Sequence, residues 1–222
     1  MAKISVNKLA EMLVTTSPTR RRRIVFDQKH PSANIVARYR QAVEPVASYL
    51  TNGRDLDVLK NASRVLRADG SGTAWSIEDK TNTADALERF AEFADQLPGD
   101  ATYSQGPHDA AKLLIAGVSV SVRPDFLLTL ERRRRLYVGA LKLHYIKNPE
   151  SALNRAGAEY VAVLLHEWLR QYGPEGHTPL HSHCMSIDVF RRSVVHAPRS
   201  LSKRWDDITA ACEEIAVRWP IL

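Results

Sequence analysis

Asp125 and Lys142 are the two side chains of this sequence whose types and spacing best suit joint chemistry. Residues 118–145 read VSVSVRPDFLLTLERRRRLYVGALKLHY, and their alternation of apolar and polar residues predicts two amphipathic strands joined by a charged turn at residues 131–135. Such a hairpin would bring Asp125, at the end of the first strand, close to Lys142 on the second. A carboxylate can bind a hard cation such as Mg²⁺, and a neighbouring lysine can help to activate water or hold a phosphate. The pair therefore suggests phosphodiester chemistry.

The same pair has a purely structural interpretation. Lys142 lies between Leu141 and Leu143 in a predicted central strand, where its ammonium group needs a polar partner. A salt bridge to Asp125 would satisfy both groups without any catalysis. Both interpretations predict that the two residues are adjacent, so their proximity tests the fold and not the activity.

The hairpin resembles the core of the PD-(D/E)XK nuclease superfamily, in particular its RecB-like branch, in which a Pro-Asp pair ends one strand and Glu-X-Lys lies on the next. Pro124-Asp125 and Ala140-Leu141-Lys142 occupy those places here. The second acidic metal ligand of the family falls on Ala140, which has no oxygen to offer a cation. The resemblance implies Mg²⁺ or Mn²⁺ as the cofactor if the chain is active, and a degenerate metal site in this chain.

Glu159, on the helix predicted to follow the hairpin, is the best candidate for a relocated acidic ligand, because some members of the superfamily carry that ligand on this helix. The resemblance then implies Asp125, Lys142 and Glu159 as catalytic residues, with Asp125 and Glu159 as the metal ligands. The alternative is an i,i+4 ion pair between Glu159 and Arg155, which is the commoner arrangement on helices. Other glutamates are weaker candidates for the same role: Glu88, Glu92 and Glu167.

Two runs of four arginines stand out in a chain with a net charge of +6. Guanidinium groups bind phosphate through paired hydrogen bonds, so the runs predict contact with DNA, or with RNA. The predicted nucleic-acid-binding residues are Arg20, Arg21, Arg22, Arg23, Arg132, Arg133, Arg134 and Arg135. The alternative is that both runs are solvated surface segments. The first run could also open the recognition helix of a helix-turn-helix reader.

Residues 177–184 bring three histidines and a cysteine close together in the sequence GHTPLHSHC. Imidazole and thiolate groups both bind zinc, but the spacing is not that of a standard zinc finger. The alternative interpretation is a set of loop histidines that precede a strand.

The remaining pattern is mostly helical. Helices are predicted at about residues 5–14, 20–28, 34–50, 55–67, 83–97, 151–172 and 201–219, a turn-rich exposed stretch at 98–109, and a further strand region at 184–196. This order is similar to the αβββαβ core of the superfamily. It predicts an α/β (α+β) fold with a mixed central sheet of PD-(D/E)XK type flanked by helices. The loop at 68–73 would separate a helical N-terminal region, residues 1–70, from a core with a C-terminal helix, residues 74–222, unless both form one compact domain.

Composition and resemblance together set the expected function. Two cysteines form no disulfide framework, and no apolar run approaches the length of a membrane span, so we expect a cytoplasmic protein with no membrane partner. The predicted function is that of a nucleic-acid-associated protein with a degenerate metal site, acting as a DNA-binding or assembly subunit in bacterial defence, repair or a mobile element. Two alternatives are an active Mg²⁺-dependent DNA endo- or exonuclease with a relocated glutamate, and a scaffold that binds only other protein subunits.

Overall fold

The computed structural model describes residues 1–31 and 38–222 as an α+β fold in which helices flank two mixed sheets, and this confirms the predicted fold class. The helices are α1 (Val6–Val14), α2 (Pro18–Lys29), α3 (Val43–Thr51), α4 (Leu56–Ala68), α5 (Ala74–Ala91), α6 (Arg155–Tyr172) and α7 (Ser202–Arg218). The strands are β1 (Ala2–Ser5), β2 (Thr102–Gln105), β3 (Leu113–Ile115), β4 (Val118–Ser121), β5 (Phe126–Arg132), β6 (Arg135–His144), β7 (Thr178–Asp188) and β8 (Ser193–His196). Short 3₁₀ segments lie at Arg40–Ala42, Ala94–Gln96, Pro149–Ser151 and Trp219–Ile221.

The larger sheet has the strand order β2-β5-β6-β7-β8. Strands β2, β5 and β6 are antiparallel neighbours, whereas β6 and β7 are parallel and are joined by the crossover helix α6. Strand β8 forms an antiparallel hairpin with β7, so the strand region predicted at residues 184–196 is confirmed and contains two strands. Strands β5 and β6 are joined by a turn of only two residues, Arg133 and Arg134.

The strand that pairs with β6 is β5, so the predicted first strand of the hairpin was wrong. Residues 118–121 form β4, which lies in the second sheet between β1 and β3. A two-residue turn pairs the residues directly before it with those directly after it, so Arg132 lies opposite Arg135 and Phe126 opposite Leu141. Both β4 and β5 alternate apolar and polar residues, and alternation alone does not specify which run lies beside β6.

Helix α3 begins later than predicted. The pattern at residues 34–50 predicts one helix, but in the described part of the chain the helix begins at Val43. A 3₁₀ turn precedes it, and Tyr39 enters that turn in the left-handed conformation with φ 61°. Residues 34–37 of the predicted helix lie outside the described residues. Pro45 therefore stands in the first turn, where its missing N–H does no harm.

Helix α5 begins and ends earlier than the prediction of residues 83–97. Its N-cap is Thr73, whose hydroxyl accepts a hydrogen bond from the backbone N–H of Ser76. The helix ends at Ala91. Its first half is polar and mostly exposed, but Lys80 within it is buried and is paired at 2.6 Å with Asp69.

Three short strands, β1, β2 and β3, lie where the sequence pattern predicts none, and β3 pairs with β4. Strand β2 forms within the stretch predicted to be turn-rich and exposed, and Tyr103 in its centre is buried with its hydroxyl donating to the carbonyl of Pro98 at 2.8 Å. Strand β1 precedes α1 and pairs in parallel with β4. The N-terminus of the chain therefore joins the second sheet.

Strand β6 separates two apolar cores, and its two faces follow the predicted alternation. Val138 and Ala140 face the core that contains α6 together with parts of α1, α2 and α7. Leu141 and Leu143 face the core formed with α3, α4 and α5.

The loop at 68–73 joins α4 to α5. Within the described residues, every helix is too short or too polar to cross a membrane.

Candidate functional site

The hairpin of β5 and β6 places Asp125 directly beside Lys142. Lys142 Nζ donates to Oδ1 of Asp125 at 2.8 Å, and the backbone N–H of Leu143 donates to Oδ2 at 2.7 Å. The backbone N–H of Asp125 donates to the carbonyl of Leu141 at 2.9 Å, so the ladder continues one residue beyond the start of β5. The proximity predicted from the sequence is confirmed.

Gly106 brings the end of β2 against the backbone of Pro124-Asp125. Its N–H donates to the carbonyl of Asp125 at 2.8 Å. A Cβ at this position would lie 2.1 Å from the carbonyl oxygen of Pro124, so only glycine allows this approach without a shift of the backbone. Gly106 therefore helps to set where Asp125 lies.

A cavity of about 320 Å³ opens beside the ion pair and is lined by both Asp125 and Lys142. Gln105, the last residue of β2, and His108, in the segment that follows it, also line the cavity, as does Tyr145. Gln105 and His108 are not among the site residues predicted from the sequence. The sequence pattern that points to this segment is the short alternation of residues 102–105 (TYSQ), which is typical of a strand that ends before Gly106-Pro107.

The charges of the pair largely neutralise each other at the cavity wall. The side chain of Lys142 is 15% exposed and that of Asp125 is 33% exposed. Burial, and to a smaller degree the charge of Asp125, raises the pKa of Tyr145, so its hydroxyl stays protonated. The cavity therefore offers a shielded ion pair and a neutral phenol.

The second acidic position of the family motif has no carboxylate. Ala140 is fully buried in the core that contains α6. Glu159, the predicted substitute, accepts a hydrogen bond from Arg204 at 2.7 Å and lies 3.5 Å from Arg155. It is not among the residues that line the cavity beside Asp125. The structure therefore brings Asp125 and Lys142 together, and it places Glu159 against α7.

These residues, as they lie, do not fit a divalent cation. Both carboxylate oxygens of Asp125 already accept hydrogen bonds, and Glu159 is held by two arginines. Across residues 1–31 and 38–222, no three His, Cys, Asp or Glu side chains are grouped to hold a metal. The weaker candidates are also in ion pairs or hydrogen bonds with neighbours: Glu88 with Arg67, Glu92 with Arg89 and Arg192, and Glu167 with Arg170.

The first arginine run lies in the first half of α2 and is largely engaged within the protein. Arg20 pairs with Glu11, Arg21 pairs with Glu214 on α7, and Arg23 pairs with Asp27. Arg22 is exposed. Since Arg21 is directed at α7, this helix does not present all four guanidinium groups to a ligand.

The second arginine run forms the tip of the β5–β6 hairpin and is exposed along its whole length. Arg132 pairs with Asp100 at 2.8 Å. Arg133 and Arg134 have φ values of 50° and 60°, and neither forms an ion pair with any described residue. This tip, Arg132–Arg135, therefore has more guanidinium groups without an ion pair among the described residues than the first arginine run has.

The histidine-rich segment is part of strand β7 and not a loop. Thr178 begins the strand, and His183 and Cys184 are buried within it. Burial raises the pKa of the Cys184 thiol to about 12, so it is not a thiolate at neutral pH. Its place in the core that contains α6 gives no indication of zinc binding.

Comparison of the sequence with models of known protein families, and with curated proteins, gave no match.

Proposed function

We propose that this chain is a nucleic-acid-binding protein of PD-(D/E)XK type whose metal site is degenerate. The observation that carries the proposal is the pairing of Asp125 with Lys142 at a cavity, with Ala140 in the place of the second acidic ligand. The lysine and one carboxylate of the motif are present, and the oxygen ligand that would complete a metal site is not.

The topology around the pair supports this proposal. The order α5, β2, β5, β6, α6, β7 reads αβββαβ, with three antiparallel strands followed by a helical crossover to a parallel fourth. The hairpin of β3 and β4 is inserted between the first two of these strands and belongs to the second sheet. A helical crossover between parallel strands occurs in many folds, so the specific support comes from the position of Asp125 and Lys142 within the order.

The exposed hairpin tip supports binding to a polyanion. Arginine forks bind phosphate oxygens in pairs, and each neutralised phosphate releases counterions. We therefore propose that Arg133 and Arg134 contact the backbone of DNA, or of RNA, without reading its sequence. Arg22 on α2 could add a contact.

Binding is favoured over cleavage because Asp125 is the one carboxylate among the described residues that line the cavity, and both of its oxygens already accept hydrogen bonds. A metal-dependent nuclease needs oxygen ligands free to coordinate the ion, and Glu159 would have to leave Arg204 to supply one. The resemblance further suggests a cytoplasmic DNA-binding or assembly subunit in bacterial defence, repair or a mobile element. Two buried free thiols, Cys184 and Cys212, are compatible with a reducing compartment.

The test measures binding and cleavage on the same preparations. Fluorescence anisotropy with short duplex and single-stranded DNA, without metal and over a range of salt, should show affinity that falls steeply with salt. The variant Arg133→Asn, Arg134→Gly should lower the slope of log affinity against log salt by about 2. The matched control removes two exposed cations from α4, Lys60→Ala and Arg64→Ala, and should leave the slope nearly unchanged.

Three outcomes decide the function. Salt-sensitive binding without cutting in Mg²⁺ or Mn²⁺ supports the proposal. Metal-dependent cutting that is lost in an Asp125→Ala, Lys142→Ala variant would instead establish a nuclease. Absence of both binding and cutting would exclude nucleic acid and direct the search to protein partners.

A further inference from the structure

A second cavity, of about 340 Å³, lies at the C-terminal ends of the parallel strands β6 and β7. Its walls include His144 on β6, Ser186 on β7 and the first turn of α6 at Arg155. The unit β6-α6-β7 places the N-terminus of an 18-residue helix against the ends of two parallel strands. Helix N-termini in this position commonly bind anionic groups, because backbone N–H groups and the helix dipole are directed at them.

A buried polar pair forms part of this cavity. Nε2 of His144 lies 2.9 Å from Oγ of Ser186, and the two residues are only 4% and 1% exposed. The other ring nitrogen, Nδ1, is buried and has no hydrogen-bond partner among the described residues. Buried polar atoms are nearly always hydrogen-bonded, so an unsatisfied nitrogen on a residue that lines the cavity indicates a missing partner.

The charges around the cavity favour an anion as that partner. Asn154 caps α6 by accepting the N–H of Gly157 at 2.9 Å, and the N–H groups of the first two helical residues have no acceptor among the described residues. Arg191 and Asp188 pair at 2.8 Å, and this neutralises the only carboxylate among the lining residues. The guanidinium group of Arg155 is mostly exposed and lies 3.5 Å from Glu159, which also pairs with Arg204, so the positive charge of Arg155 is only partly neutralised.

We propose that this cavity binds a phosphate monoester, with the phosphate group at the N-terminus of α6 and in reach of His144, Ser186 and Arg155. Its volume suits one nucleotide-sized molecule and not a duplex. The phosphate could come from a free mononucleotide or from the phosphorylated end of a nucleic-acid strand. The site is separate from Asp125 and from the hairpin tip, so it does not depend on the proposed function.

The state of His144 favours binding over hydrolysis. Burial, and to a smaller degree the charge of Lys142, lowers the pKa of His144 to about 4. A neutral imidazole that accepts the Ser186 hydroxyl at Nε2 carries its proton on Nδ1, where it can donate to a phosphate oxygen. The same low pKa makes the ring a weak base for activating a nucleophile.

The first experiment is isothermal titration calorimetry, which measures the dissociation constants of dAMP, deoxyadenosine and inorganic phosphate for the full chain. We expect dAMP and phosphate to bind and deoxyadenosine to bind at least about tenfold more weakly, since a charged hydrogen bond is lost. Arg155→Ala should weaken dAMP binding about tenfold. The control Arg64→Ala, an exposed arginine on α4, should leave it unchanged.

A second variant and a second probe complete the test. His144→Phe removes both ring nitrogens and should abolish phosphate-dependent binding, and urea unfolding identifies any loss that comes from misfolding. Arg155 is exposed, so Arg155→Ala should fold normally and provide an answer even if His144→Phe does not. Oligonucleotides with and without a 5′-phosphate distinguish the strand end from the free nucleotide as the source.

Three results would overturn the inference. The first is that the folded wild-type protein binds neither dAMP nor inorganic phosphate. The second is that deoxyadenosine binds as tightly as dAMP, and the third is that Arg64→Ala weakens binding as much as Arg155→Ala. Failure of the hairpin variant to bind DNA would leave dAMP binding intact, so the two proposals fail separately.

Discussion

Lys142 Nζ lies 2.8 Å from one carboxylate oxygen of Asp125, and the other oxygen accepts the backbone N–H of Leu143 at 2.7 Å. Asp125 therefore satisfies a mostly buried ammonium group and a backbone donor at once. The relationship is asymmetric. Lys142 has no other side-chain partner among the described residues, whereas Asp125 retains the Leu143 N–H and partial exposure to water without the lysine.

We expect Asp125→Ala to cost about 2–3 kcal/mol in the free energy of unfolding, and Lys142→Met only about 1 kcal/mol. The aspartate variant leaves a charge and a donor unpaired, while the methionine keeps the volume of the lysine stem and leaves a solvated carboxylate. The double variant should recover part of the loss of Asp125→Ala, because no charge remains. Urea unfolding of the three variants measures this, and equal losses in the two single variants would contradict it.

The sequence predicts this contact because it depends on a local rule. Alternation with period two assigns the faces of β6, and a short charged turn predicts that its neighbour folds back on it. The same rule failed at residues 118–121, since β4 and β5 alternate equally well and only the tightness of the turn at Arg133 and Arg134 selects β5. Which strands pair depends on tertiary structure, and the alternation within either run does not determine its partner.

Other parts of the site and fold depend on contacts between residues distant in sequence. From its type alone, Lys80 in the first half of α5 would be expected to be solvated. Its side chain is buried because Asp69 and Ser71, in the loop before the helix, satisfy its ammonium group. His144 and Ser186 meet only through the parallel pairing of β6 with β7. Single-sequence patterns do not predict such pairs.

The hairpin tip provides a prediction in which stability and binding change in opposite directions. Arg133 and Arg134 both have positive φ, the backbone of a turn that favours Asn-Gly. Side chains with a Cβ are strained there by about 1 kcal/mol each. Arg133→Asn, Arg134→Gly should therefore raise the free energy of unfolding by about 1–2 kcal/mol while weakening DNA binding. A stability unchanged or lowered in urea unfolding would show that the arginines are not strained.

Gly106 should be far more sensitive to substitution than another glycine of the chain. In Gly106→Ala the new Cβ would meet the carbonyl of Pro124 at 2.1 Å, and we expect a loss of about 1–3 kcal/mol in the free energy of unfolding. Gly70 is the matched control, because a Cβ there has open space and its φ is not positive. Gly70→Ala should be neutral or stabilising by about 0.5 kcal/mol. Thermal unfolding of both variants measures the difference, and similar losses would rule out the close approach at Gly106.

The buried imidazole of His144 should make stability depend on pH in a defined window. Its pKa is about 4 in the folded protein, against an ordinary value of 6.5, because burial disfavours the charged form and Lys142 adds repulsion. As the pH falls below 6.5 the unfolded chain takes up a proton that the folded protein refuses, so stability is full above 6.5 and falls until the pH reaches about 4. The loss due to this residue is on the order of 2–3 kcal/mol.

The measurement compares wild type with His144→Gln, whose amide reaches the position of Nε2 and can still bond to Ser186 but does not titrate. The difference in the free energy of unfolding between the two should shrink by on the order of 2–3 kcal/mol as the pH falls from about 7.5 to about 4. Burial also lowers the pKa values of His166 and His183, so some loss of stability with acid should remain in the variant. Parallel pH profiles for the two proteins would mean that folding does not lower the pKa of His144.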